Sequence, residues 1–284
     1  MKALGMTLVA LAASVVVGSA HAGPYILAGT DADDHGSATA TANEEGWLFM
    51  QKGLENLAAS PSLTNTNKTV IALGSSSGTA LTAATSAFNF SSLASSGWNF
   101  VSVPDLTSLP GGASFASVIG AGSILMLDSG GNVGGGLTNA EEAVLTANAN
   151  AINSFVGAGG GLFSQAGDYG WLSTLVPGLS TNPASQTGLA LTAAGNAQFP
   201  GLTNADLSAG PYHNSFLGVG SIPVLATGTG NASNLDVIIG SAGGSFTEPE
   251  PPPVVGAIPE PETYALMLAG LALVGAVARR RRPR

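Results

Sequence analysis

The sequence predicts an α/β domain over residues 23–244 of a 284-residue chain, with a mainly parallel sheet covered by helices on both faces in three layers. Two observations predict it. Short apolar runs without in-out alternation, at residues 25–28, 69–73 and 123–127, read as strands buried on both faces. Between them lie longer stretches with apolar residues at helical spacing, the alternation that builds parallel sheets.

In chain order, residues 25–28 form the first expected strand. Residues 43–57 follow as a helix, with Trp47, Leu48, Met50, Leu54 and Leu57 at helical spacing. Glu44 and Glu45 stand in its first turn, where carboxylates complement the helix dipole. Residues 69–73 make a second strand, 79–88 a short helix, 98–103 a third strand and 123–127 a fourth. The clearest helix covers residues 138–156, where Thr138 and Glu141 form a capping box. Val144, Leu145, Ala149, Ile152, Phe155 and Val156 give it an apolar face. A glycine-rich stretch at 157–161 ends it, and Leu162-Phe163 opens a fifth strand. Beyond Gly167 the pattern loosens, with 222–226 and 236–239 as closing strands.

Both ends carry address signals. Lys2, an apolar run over residues 8–18 and Ala20-His21-Ala22 make residues 1–22 a secretory signal. Signal peptidase is expected to cut between Ala22 and Gly23. Residues 245–257 are a proline-rich linker, in which consecutive prolines favour extended polyproline II. Residues 258–284 place Pro259, Glu260 and Pro261 before an apolar transmembrane stretch at 264–278 and the cluster Arg279, Arg280, Arg281 and Arg282. Fifteen residues fall short of the ~20 that span comfortably, and the arginines hold the end in the cytoplasm. This order of parts resembles the PEP-CTERM sorting signal of Gram-negative bacteria. The resemblance implies a transient single pass of the inner membrane, cutting near Pro-Glu-Pro by an exosortase, and a final place on the cell surface or outside the cell. It also implies an envelope context of biofilm and exopolysaccharide, with extracellular polysaccharide as a partner.

Composition excludes several classes. Hydrophobic residues make up 45% and charged residues 9%, and there is no cysteine, which removes disulfides, thiolate metal sites and cysteine nucleophiles together. From Asp31 to Glu250 only Lys52 and Lys68 face fifteen carboxylates, a formal charge near −13 that disfavours nucleic acid.

Three features bear on chemistry. Asp31, Asp33, Asp34 and His35 cluster directly after the first strand, where open α/β sheets bind ligands. Three carboxylates and an imidazole suit Ca²⁺ or another divalent cation, although EF-hand spacing is absent. Ser164, expected on a strand-to-helix turn, is a candidate nucleophile, with His213 as its base and Asp168 or Asp128 to orient the imidazole. The Gly-x-Ser-x-Gly elbow is not met, because Leu162 and Ala166 stand where its glycines belong. Finally, the glycine runs at 130–136 and 157–161 lack the Gly-Lys-Ser/Thr ending of a phosphate loop and read as flexible connections.

The segment from Leu137-Thr138-x-x-Glu141 to Phe155-Val156-x-x-Gly159-Gly160-Gly161-Leu162 resembles the class I glutamine amidotransferase-like fold, in particular its ThuA-like branch. The resemblance implies a flavodoxin-like sheet. Its thiolate chemistry is excluded, because Phe163-Ser164-Gln165-Ala166-Gly167 carries no cysteine. The expected function is that of an exported, exosortase-processed surface or matrix protein with a non-catalytic domain. The alternative is a ThuA-like hydrolase or carbohydrate-active enzyme using the 31–35 loop and His213.

Overall fold

The computed structural model describes residues 23–130, 134–165, 170–229 and 235–241. Its strands in the first half are β1 (Tyr25–Ala28), β2 (Gly36–Ala38), β3 (Asn43–Glu44), β4 (Thr69–Leu73), β5 (Asn99–Val103), β6 (Ile124–Leu127) and β7 (Gly161–Ser164). The second half adds β8 (Ser180–Thr187), β9 (Leu189–Leu191), β10 (Pro211–Leu217), β11 (Val224–Gly228) and β12 (Asp236–Ser241).

The five strands expected before Gly167 form one parallel array in the order β5-β4-β6-β7-β1. Period-two geometry divides their side chains between two cores. Ile26, Ala28, Val70, Ala72, Ile124, Met126 and Phe163 face one helical layer. Tyr25, Leu27, Ile71, Leu73, Leu125, Leu127 and Leu162 face the other. Helices Glu45–Ala59 and Gly78–Asn89 cover the first face, and Phe115–Gly120, Asn139–Ala147 and Ala149–Gly157 cover the second. The three layers therefore follow from strands apolar on both sides.

The sheet is mixed rather than mainly parallel throughout. Beyond β1 it continues as β12, β10 and β8, all antiparallel to their neighbours, with β11 and β9 branching from β12. The edge strand β8 has the sequence STNPASQT and is mostly exposed, so no apolar pattern announces it.

Two helices also differ from expectation. The helix expected from residue 43 begins at Glu45, because Asn43 and Glu44 pair with β2. The helix expected over 138–156 is broken at Asn148, whose Nδ2 donates to the Val144 carbonyl at 2.8 Å. Its start is as read. Thr138 N–H donates to Glu141 Oε2 at 2.9 Å, and Glu141 N–H donates to Thr138 Oγ1 at 3.4 Å.

The crossovers position the site. After β1 the chain runs to Glu45–Ala59 on one face, whereas after its neighbour β7 it runs to Leu172–Leu175 on the other. Adjacent strands whose following segments part to opposite faces leave a crevice at their carboxyl ends. Among the described residues no helix is long and apolar enough to cross a membrane; the expected membrane stretch at 264–278 and the signal at 1–22 lie outside them.

Candidate functional site

The crevice is built by β10 taking over from β12 beside the end of β1. His213 and Asn214 N–H groups donate to the Gly29 carbonyl at 2.7 and 3.1 Å, and Thr30 bridges to Tyr212. Gly29 permits this approach, since a Cβ there would overlap the Asn214 backbone. His213 is thereby carried to the mouth of the 31–35 loop.

The loop itself is fastened at each step. Thr30 Oγ1 and Ala32 N–H donate to Gln165 Oε1 at 3.3 and 2.9 Å. Asp34 N–H closes a turn onto the Asp31 carbonyl at 2.9 Å. Trp47 Nε1 donates to the Asp33 carbonyl at 2.9 Å, and Gly46 N–H to that of His35 at 3.1 Å. Gly210 packs against the His35 ring with no room for a Cβ.

These restraints set two buried carboxylates to different tasks. Asp31, only 3% exposed, turns Oδ2 toward two imidazoles, 3.0 Å from His213 Nε2 and 3.1 Å from His35 Nε2. Both imidazoles remain about two-fifths exposed, at 42% and 40%. Asp33, 1% exposed, turns inward, and its Oδ2 accepts the Ser129 N–H at 3.4 Å. Burial, with the nearby Asp128 carboxylate second, pushes the Asp33 carboxyl up to about 7. Burial also lifts Asp128 to about 6, against the pull of hydrogen bonds from Leu137 N–H, Ser75 Oγ and Gly130 N–H. Asp34 is raised by burial and then by the Asp31 charge.

Beside His213 lies a cleft of about 250 Å³, whose wall includes Thr30, Gln165, Pro183 and Asn214. Gln165 is 1% exposed, and its Nε2 has no hydrogen-bond partner although Oε1 has two. An unsatisfied buried amide donor is costly, and such groups concentrate where a ligand completes the bonding.

The candidate residues are thus redistributed. His213, assigned as a base, and Asp31 and His35, assigned to cation binding, form one cluster. Asp128, expected to orient His213, instead accepts from Ser75, Gly130 and Leu137, and Asp31 takes the orienting position. Ser164 is not on a turn; it is the last residue of β7, wholly buried and in register with Leu27 and Leu127. Asp168 lies outside the described residues. Of the four expected cation ligands, Asp31 faces imidazoles and Asp33 faces the interior. No three His, Asp or Glu side chains among the described residues are grouped to hold one ion. Gln165 was missed, and its only signal is its place directly after an apolar strand.

Pro259, Glu260, Pro261 and the arginines at 279–282 lie outside the described residues, and there the comparison with known families is informative. The tail defines an exported protein that is processed at the membrane. More particularly, residues 257–282 match the PEP-CTERM protein-sorting motif, which makes the chain an exosortase substrate. No curated protein and no solved structure matches the chain, so the amidotransferase-like resemblance of the central domain gains no support.

Proposed function

We propose that this chain delivers a ligand-binding α/β domain to the surface or surrounding matrix of a Gram-negative cell, where the cleft beside His213 recognises a small polar group. The envelope and exopolysaccharide setting rests on the sorting motif. The observation that carries the binding reading is Gln165, a buried wall residue with an amide donor left without a partner. The acidic surface turns away phosphates and other polyanions, which favours a neutral, hydroxyl-bearing ligand such as a polysaccharide.

Delivery in this reading begins with removal of residues 1–22. Gly23 N donates to the Val156 carbonyl at 2.6 Å. Cleavage after Ala22 would leave an ammonium there, at the carboxyl end of helix Ala149–Gly157, where the helix dipole favours positive charge. Cutting near Pro259-Glu260-Pro261 would then free the domain from the membrane.

Two measurements test these halves. Alanine at Pro259, Glu260 and Pro261 should leave the full-length form in the membrane of an exosortase-bearing host. Unchanged release of the shortened form would contradict exosortase handling. Soluble extracellular polysaccharide from the host should raise the melting temperature of the wild-type protein and not of Gln165→Leu. Equal shifts for both proteins would remove the cleft from the binding reading.

A further inference from the structure

The Asp31–His213 pair carries more than recognition. We propose that the cleft hydrolyses a neutral acyl ester, with His213 as general base, Asp31 as its positioning residue and Gln165 as donor to the developing oxyanion. This rests on the cleft being the working site, and it adds chemistry to that reading.

The tautomer is the first step. A carboxylate 3.0 Å from Nε2 holds the proton on that nitrogen, which donates to Asp31 Oδ2 and leaves the Nδ1 lone pair as acceptor. Asp31 is buried and fixed by its own loop, so the imidazole plane is fixed with it. His35 reaches the same oxygen at 3.1 Å, but of the two imidazoles only that of His213 lines the 250 Å³ cleft. A base held by a buried carboxylate, opening on a cleft, is the arrangement that general-base hydrolysis needs.

The nucleophile is water, since Ser164 is buried within the strand. Water oxygen attacks the ester carbonyl carbon while His213 Nδ1 takes the departing proton. The carbonyl oxygen becomes an oxyanion and accepts a hydrogen bond from Gln165 Nε2–H, the donor without a partner. Collapse breaks the carbon–oxygen bond, and the leaving alkoxide recovers the proton from His213. One water is consumed, and a carboxylic acid and an alcohol are formed. An ester suits a single imidazole better than an amide does, because an alkoxide leaves more easily than an amine. A neutral substrate suits the acidic domain.

The test uses full-length protein in detergent with p-nitrophenyl acetate as probe, measured with and without EDTA. Wild type should turn over above buffer rate in both conditions. His213→Ala should lose about 10²-fold or more, with part of the rate restored by added imidazole. Asp31→Asn should lower kcat with KM little changed, since it disorders the base and not the cleft. Ser164→Ala should keep the wild-type rate if it remains folded by circular dichroism. Hydrolysis no faster than buffer, an undiminished His213→Ala rate, or loss of rate in EDTA would each overturn the proposal. Polysaccharide binding without turnover would overturn the chemistry and leave the binding reading intact, and absence of both would remove both.

Discussion

Phe163→Ala is expected to cost about 3–5 kcal/mol of folding free energy, among the larger losses a single truncation can produce here. Phe163 is fully buried in β7, an inner strand paired on both sides, to β6 and to β1. Its ring centroid lies 5.5 Å from that of Phe49, which in turn meets Phe199 edge-on at 5.6 Å. Beneath the ring lies Gly53, whose missing side chain makes room for it. Glycine has no side chain to move into the space, so the cavity left by alanine stays open, and an unrelaxed cavity is the costly kind. Urea unfolding with an unchanged m-value measures the loss; a change below about 1 kcal/mol would mean that the helix Glu45–Ala59 collapses onto β7.

Stability is also expected to fall as pH rises from about 4 toward 8. Asp33 and Asp128 titrate in the folded domain near 7 and 6, both above the ordinary value of 3.8. Between 3.8 and those values the native state holds protons that the unfolded chain has released. Raising the pH therefore favours unfolding, by up to about 1.4 kcal/mol per pH unit for each fully linked carboxyl. The contribution is complete below 3.8 and is lost as pH passes through 6 and 7. Asp33→Asn imitates the protonated acid, so its stability curve should be flatter and should rise above wild type as pH climbs from about 4 toward 7. At pH 8 the gain should be on the order of 4 kcal/mol, about 1.4 kcal/mol for each of the roughly three pH units between 3.8 and 7. Parallel curves, or a variant weaker than wild type at pH 8, would place the strain elsewhere.

The parallel half of the fold was legible because burial on both faces writes itself into sequence. Runs such as Ile124–Leu127 and Tyr25–Ala28 have no polar alternation, and each became a central strand. The capping box at Thr138 was legible for a similar reason, since its partners lie three residues apart. The antiparallel half was not. β8 is polar at the sheet edge, and β10 reads Pro-Tyr-His-Asn-Ser-Phe-Leu, a mixture set by neighbours distant in sequence. The site divides along the same line. That the 31–35 loop lies at a strand's carboxyl end follows from local pattern. That Asp31 orients His213 depends on two bonds to the Gly29 carbonyl from residues more than 180 positions away, and no spacing rule reports them. Ser164 misled because a one-residue difference in strand length moves a side chain from an exposed turn into the sheet.

The place of β12 bears on the order of events during export. The last strand of the domain lies between β1, the first, and β10, so the first and last strands of the domain meet mid-sheet. A polypeptide leaving a channel from its N-terminus exposes β1 long before β12, its antiparallel partner, exists. Closure of the sheet waits until Ser241 has emerged, a non-local pairing of the slow kind. Meanwhile the Ile26 and Leu27 edge stands open to wrong partners.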